Sequence, residues 1–252
     1  MDQRVALVTG GSRGIGRAIS LRLAADGFAV AVNYRKDSDA AAEVVAEIVG
    51  KGGTATAYQA SVDRAEDRTR LVDAVLADYG YVDAFISNAG IASRGQHVAD
   101  TDLAELERVV GTHAIGAFHL AQLVLPSMRS QARGDIVLIS SVAAARAHAG
   151  GAPYMMAKVA LEALGSTLAL EELKNGIHTN IVAPGLVATD MGDRLVRAVA
   201  GVESSKDLDA GSPYGHVCRP EEIADVVAWL VSDQASYVNG QRIQVDGGGS
   251  GL

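Results

Sequence analysis

The chain has 252 residues, 48% apolar and 21% charged, which is enough for one sizeable α/β domain and too apolar for disorder as a whole. A net charge of −8, from 22 basic and 30 acidic side chains, argues against a general nucleic-acid binder, which carries a basic face. A single cysteine, Cys218, excludes an internal disulfide and a multi-cysteine zinc site. No run reaches the roughly 18 uninterrupted apolar residues of a membrane span, and the start MDQRVALVTGGSRG carries no leader pattern, so a cytoplasmic protein is expected.

Taken in order, the chain alternates short apolar runs with longer amphipathic stretches. Arg4–Val8 is a predicted strand that runs into a glycine-rich turn at Thr9–Gly16, and Ile15–Gly27 spaces Ile15, Ile19 and Leu23 as one helical stripe. Phe28–Val32 is a second strand, Ser38–Val49 a helix stopped by Gly50–Gly53, and Ala55–Gln59 a third strand. A helix follows at Glu66–Tyr79 and a strand at Val82–Ser87. Asp102–Arg129 reads as one long helix bent near Gly111 and Gly116. Asp135–Ser140, Ala152–Asn175 and His178–Val182 continue as strand, helix and strand, before a helix at Pro220–Val231 and a last strand at Arg242–Val245. Trp229 falls in the apolar pattern of that last helix and is expected in the core.

Such alternation predicts parallel strands joined by right-handed crossovers, and uniformly apolar runs such as VALV and DIVLI predict strands covered on both faces. The expected fold is a single doubly wound Rossmann-type domain over 1–252, about seven parallel strands with helices on both sides. Leu186–Pro213 fits the alternation least and is expected to form a lid over the substrate.

Thr9-Gly10-Gly11-Ser12-Arg13-Gly14-Ile15-Gly16 sits between a strand and a helix, where glycines let backbone N–H groups approach a pyrophosphate. The spacing differs from G-x-G-x-x-G, and glycines also serve plain structural turns. After the second strand the chain reads Asn33-Tyr34-Arg35-Lys36, with no acid before Asp37 to hold an adenosine ribose diol. Arg35, with Arg13, suits a 2′-phosphate, so NADP(H) is expected over NAD(H); the alternative is a solvated basic loop.

Tyr154 and Lys158 lie four apart on one helix face, and a lysine cation beside a phenol favours phenolate. Alone the pair is commonplace. Ser140-Ser141 ends the preceding strand, however, and ligands bind at strand carboxyl ends in open α/β sheets, so Ser141 can bond a substrate oxygen while Tyr154 moves its proton.

Thr9–Gly16, Asn88-Ala89-Gly90, Ser141, Tyr154-x-x-x-Lys158, Pro184-Gly185 and Asn239-Gly240 before Val245-Asp246-Gly247-Gly248 together resemble the short-chain dehydrogenase/reductase family over essentially the full length. Within it, the chain looks most like 3-oxoacyl-acyl-carrier-protein reductases and related carbonyl reductases. The resemblance implies that Tyr154 is the general acid or base, that Lys158 holds the nicotinamide ribose and lowers the tyrosine pKa, and that Ser141 polarises the carbonyl. It also implies a cofactor site formed by Gly10, Ser12, Arg13, Gly14, Ile15, Gly16, Arg35, Ser61, Val62, Asn88, Ala89 and Gly90. Pro184, Gly185, Val187 and Thr189 would lie around the nicotinamide. No metal is implied.

Two positions depart from the family pattern. His113 stands where relatives often have an asparagine that holds a proton-relay water; a histidine titrating near neutrality can hold the same water, or it can be satisfied by local backbone. Ser61 stands where many relatives place an acid against the adenine. The expected partners are a small ketone or alcohol and further copies of the chain, as a homotetramer or homodimer built on the long helices and last strand. A substrate on acyl-carrier protein is the alternative; Arg129 and Arg133 offer it basic contacts, while Glu171-Glu172 and the overall charge do not. A nucleotide-binding sensor or scaffold with attenuated catalysis is the reading from another class, with His113 its one supporting feature. Met155, Met191, Leu195 and Tyr214 are expected to border an adaptable apolar pocket.

Overall fold

The computed structural model describes residues 3–249, so the outermost residues of the predicted 1–252 domain lie outside it. Seven strands form one parallel sheet in the order β3-β2-β1-β4-β5-β6-β7. They are β1 (Val5–Val8), β2 (Ala29–Tyr34), β3 (Thr54–Gln59), β4 (Ala84–Ser87), β5 (Gly134–Ile139), β6 (Ile177–Pro184) and β7 (Arg242–Val245). The helices are α1 (Gly14–Ala25), α2 (Ser38–Gly50), α3 (Ala65–Tyr79), α4 (Leu103–Val110), α5 (Gly116–Met128), α6 (Ala152–Glu171), α7 (Asp190–Val199) and α8 (Pro220–Leu230).

Strand side chains alternate between two cores, as a period of two requires. Ala6, Val8, Val30, Val32, Ile86, Val137 and Ile139 meet Ile19 and Leu23 of α1, Val44 and Ile48 of α2, and Ile223 and Val227 of α8. Leu7, Ala31, Phe85, Ile136 and Leu138 meet Leu71 and Val75 of α3, Leu120 and Val124 of α5, and Leu161 and Leu168 of α6. Both faces of the central strands are covered, which is why β1, β4 and β5 show no polar alternation, whereas the edge strands β3 and β7 alternate and are only partly buried.

The predicted long helix is continuous but not uniform. α4 and α5 are joined by a π-helical turn at Gly111–Ile115, where one backbone register is skipped, at the position where a bend was expected. Leu103–Met128 as a whole is long and apolar enough by composition to cross a membrane, yet half of its most apolar window is buried against the domain, as for a core helix.

Two expectations are corrected. Trp229 is 37% exposed at the outer edge of α8, because Ile223, Val227 and Leu230 supply that helix's inner face. α6 ends at Glu171, short of Asn175: the chain tightens into a 3-10 turn, Leu173–Asn175, and leaves it through Gly176 in the left-handed region at φ 68°.

The amino-terminal rim of the sheet is pinned by two buried carboxylates. Asp83 accepts from Val5 N at 2.7 Å. Asp135 pairs with Arg4 at 2.6 Å and Arg133 at 2.9 Å, while Arg4 also donates to the Val231 carbonyl at 2.7 Å.

Candidate active site

All seven strands run the same way, so their carboxyl ends share one rim, and the strand order reverses between β1 and β4. A crevice opens at such a reversal. The glycine turn lies after β1, Asn33–Arg35 at the end of β2, Ser61-Val62 after β3 and Asn88–Gly90 after β4. Ser141 follows β5, and Pro184–Thr189 lies at and beyond the end of β6.

The glycine turn is held by polar side chains. Thr9 Oγ1 accepts from the backbone N–H groups of Asn88 and Ala89, both at 3.0 Å. The Asn88 amide donates back to the Thr9 carbonyl at 2.9 Å and the Gly10 carbonyl at 3.2 Å. A side chain at Gly16 would collide with the Gly10 carbonyl oxygen, and Gly10 itself sits at φ +61°, so both positions need glycine. Thr189, which caps α7 by accepting from Gly192 N at 3.1 Å, brings its methyl group beside Gly14. This places the chain beyond β6 next to the turn.

Sequence reasoning missed Asn33. Buried at the end of β2, it accepts from Gly10 N at 3.3 Å and donates to the carbonyls of Tyr58 and Ala60 at 3.2 and 3.1 Å. It thereby ties the glycine turn to the β3 exit. The available signal was a lone amide closing an apolar run. Arg13 and Arg35 are both exposed, and no ion pair engages either among the described residues. Asp37 is engaged elsewhere, capping α2 by accepting from Ala40 N at 3.0 Å. The Ser61 hydroxyl bonds Asp63, and Val62 beside it is buried, its carbonyl held by Arg68 at 2.7 Å.

Ser141, Tyr154 and Lys158 converge. The Ser141 hydroxyl faces the Tyr154 phenol and accepts from Ala143 N at 3.2 Å, which fixes its rotamer. Burial raises the phenol above its ordinary 10.0, and the Ser141 contact opposes that rise. The Lys158 ammonium lies 5.5 Å from the Tyr154 ring centroid and donates to the Ile139 carbonyl at 2.7 Å. Burial pulls Lys158 down to about 7, with the Glu162 carboxylate acting against it.

His113 belongs to the π-helical turn. Its Nε2 faces both the N–H and the carbonyl of Ile91, at 3.1 and 2.8 Å, so the tautomer decides which bond forms. Nδ1 is buried with no partner among the described residues. Burial, reinforced by the Lys158 cation, pushes the imidazole down to about 3. The expected titration near neutrality is therefore corrected: His113 is an uncharged ring bonded to local backbone.

Beyond β6 the chain forms α7 and two 3-10 turns, Ser205–Gly211 and Pro213–Gly215, and Asp193 links α7 to the first of these turns. Its carboxylate accepts from Ser205 N and Ser205 Oγ, both at 2.7 Å, and these bonds hold it below the usual carboxylate range. Leu195 and Tyr214 are exposed, Tyr214 with a left-handed backbone at φ 58°, while Met155 and Met191 are half-buried. Among the described residues, no group of three or more His, Cys, Asp or Glu side chains converges. Cys218 is half-buried, and burial with the nearby Glu222 pushes its thiol up to about 12, which suits an inert packed side chain.

The family described as enoyl-(acyl carrier protein) reductase matches residues 10–250. The chain is 37% identical over 249 residues to a 3-oxoacyl-[acyl-carrier-protein] reductase of Synechocystis sp., covering 98% of this chain and 97% of that protein. Among solved structures, a variant of a Serratia marcescens short-chain dehydrogenase/reductase superposes with a TM-score of 0.89 at 32% identity, covering 98% of both chains. A 7α-hydroxysteroid dehydrogenase in complex with NADH and 7-oxo glycochenodeoxycholic acid superposes with a TM-score of 0.90 at 30% identity, covering 98% of this chain and 94% of that one.

Proposed function

The chain belongs to the short-chain dehydrogenase/reductase family of oxidoreductases, and from that premise we propose that it interconverts a ketone and a secondary alcohol with NADP(H), Tyr154 moving the proton. The observation that carries this reading is the facing pair of hydroxyls of Ser141 and Tyr154, with the Lys158 ammonium 5.5 Å from the phenol ring centroid. Two neighbouring hydroxyls can converge on one carbonyl oxygen, Ser141 polarising it and Tyr154 protonating it.

The cradle fits a dinucleotide. The glycine turn runs directly into the start of α1, and its tight course depends on Gly16, where a Cβ would strike the Gly10 carbonyl. Arg35 and Arg13 are exposed and in no ion pair among the described residues, at the end where a 2′-phosphate would lie, and the nearest acid, Asp37, is turned into a helix cap. The expected holding residues are Gly10, Ser12, Arg13, Gly14, Ile15, Gly16, Arg35, Ser61, Val62, Asn88, Ala89, Gly90, Pro184, Gly185, Val187 and Thr189. Asn88 acts by bracing Thr9 and Gly10. The nicotinamide, when bound, supplies or accepts the hydride. A cationic Lys158 favours the phenolate that remains on Tyr154 after its proton has left. His113, neutral, orients Gly90 and Ile91.

A free small ketone or alcohol is the substrate favoured by the surface. Arg129 is bound twice by the buried Glu172, at 2.9 and 2.5 Å, and Arg133 is bound by Asp135, so neither presents a free cation to an acidic carrier. The curated relatives favour the second reading, a 3-oxoacyl thioester on acyl-carrier protein. The same proposal has the enzyme work in the cytoplasm as a homotetramer or homodimer; exposed Ile115 and Phe118, with Met156, Val159 and Leu170 on α6, offer apolar surface for copies to bury.

Oxidation of NADPH and of NADH by the purified protein, over a panel of free ketones and a short 3-oxoacyl thioester, tests the proposal. Turnover with NADPH that disappears in Tyr154→Phe is expected. Undiminished turnover in that variant overturns the assignment of Tyr154, and tight NADPH binding without turnover on any carbonyl favours the sensor reading.

A further inference from the structure

We propose that Glu162 and Arg242 are positioning residues that hold the catalytic serine strand in place and keep Lys158 cationic, so that the last strand of the sheet takes part in catalysis. The inference rests on the reading of Lys158 and Ser141 given above.

Three consecutive residues leaving β5 are each held by a different ionic side chain. Lys158 donates to the Ile139 carbonyl at 2.7 Å. Ser140 donates its hydroxyl to Glu162 Oε1 at 2.7 Å. Arg242, from β7, donates to the Ser141 carbonyl at 3.2 Å. Arg242 and Glu162 are themselves joined, Nε to Oε1, at 2.9 Å. One Glu162 oxygen therefore receives both the serine hydroxyl and the guanidinium, and these contacts reach across the full width of the β5–β6–β7 edge. The backbone before the Ser141 side chain is thus held by Lys158 from within the site and by Glu162 through the Ser140 hydroxyl, and the backbone after it by Arg242.

The same carboxylate sits one helical turn beyond Lys158 on α6, a spacing that places two side chains on one face. Lys158 is buried, and a buried ammonium is stable as a cation only with a counter-charge nearby. The groups facing it are few. Tyr154 and Glu162 come from its own helix. The Ile139 carbonyl comes from β5, and His113, which burial keeps neutral, comes from the π-helical turn. From β7, Arg242 shares the carboxylate and partly offsets it. Glu162 is the group that draws Lys158 toward the charged state against burial. Glu162 and Arg242 keep side-chain exposures of 20% and 27%, so the pair stands at the boundary between water and the interior and touches neither substrate nor the reacting atoms.

This arrangement predicts opposite signs for its two members, which a purely structural brace would not. Removing the carboxylate should lower the Lys158 midpoint, whereas removing the guanidinium leaves the carboxylate undiluted and should raise it. The chain has five lysines, and the other four are exposed, so carbon-13 at the lysine ε position resolves Lys158 by NMR, with Lys158→Met as the assignment control. In the protein without cofactor, Glu162→Gln should move the Lys158 midpoint down by about one pH unit and Arg242→Gln should move it up. In NADPH-linked ketone reduction, the alkaline limb of the pH–rate profile should follow in the same directions, with turnover by Glu162→Gln recovering at lower pH. An unmoved midpoint in Glu162→Gln, or a shift of the same sign in both variants, overturns the inference. If Glu162→Gln does not fold, the upward shift in Arg242→Gln decides alone. A moved midpoint with an unmoved alkaline limb overturns the catalytic part. The expected lysine shifts in a protein that turns over no carbonyl would support the pair and count against the proposed reaction instead.

Discussion

His113 meets Tyr154 edge to face, with ring centroids 5.4 Å apart and planes at 88°. The Tyr154 phenol is thus packed against an imidazole that carries no charge at neutral pH. The π-helical turn makes this contact possible, because it presents the ring to Gly90 and Ile91 on one side and to Tyr154 on the other.

Burying a neutral histidine links stability to pH. The imidazole moves from 6.5 when free to about 3 in the folded chain, so between those values the unfolded state binds the extra proton. The contribution is complete above 6.5 and is lost as pH falls, at up to about 1.4 kcal/mol per pH unit. Urea unfolding from pH 7.5 downward should show wild type losing stability more steeply than His113→Asn, which can still bond Ile91. Parallel slopes for the two proteins would show that His113 is not the group responsible.

Gly90 is required because of its neighbour rather than its backbone. A Cβ there would stand 2.5 Å from His113 Cε1. Gly90→Ala should cost about 1–3 kcal/mol in the wild-type background and clearly less in His113→Asn. A double-mutant cycle by chemical denaturation reads the coupling, and additive losses would deny it.

Arg35 has no ion-pair partner among the described residues and should bind a 2′-phosphate directly. A charge-assisted bond of this kind contributes about 1.5–3 kcal/mol, so Arg35→Ala should weaken NADPH binding by roughly 10- to 100-fold and leave NADH binding nearly unchanged. Titration of cofactor fluorescence measures both, and equal losses would assign Arg35 to the solvated loop instead.

Arg129 tests the choice of substrate. Its guanidinium is about half-exposed, while the Glu172 side chain it holds is 3% exposed, so Arg129→Ala strands a carboxylate in the interior. A loss of about 1–3 kcal/mol in stability is expected, with kcat for a free ketone unchanged at temperatures where the protein stays folded. If KM instead rises only for a substrate on acyl-carrier protein, Arg129 is a docking residue and the carrier reading gains.

Much of the fold was legible because doubly covered strands need apolar residues at every position, and the runs VALV and DIVLI leave no other economical reading. The proximity of Tyr154 and Lys158 was legible for a similar reason: they lie on one helix, where spacing settles their facing. What escaped the sequence depends on contacts between distant segments. Nothing near Asn33 announces that its amide joins Gly10 to Tyr58 and Ala60, and Glu162 and Arg242 stand 80 residues apart. His113 looked like a residue poised near neutrality because its burial is produced by a π-helical turn that no apolar period encodes. Trp229 followed the right period on a helix whose inner face was already filled.

The pinned rim described for Asp83 and Asp135 divides the molecule's risks. Arg4, Arg133 and the first strand are locked at the amino-terminal end of the sheet, while the loops after β4, β5 and β6 lie at its opposite end. Insertions or exchanges in those loops can therefore redraw the substrate range without unseating the foundation. A charge reversal at Asp135, which touches nothing reactive, should be harder to tolerate than most changes in the pocket. For anyone reshaping this enzyme, the durable end and the adaptable end are opposite ends of the same seven strands.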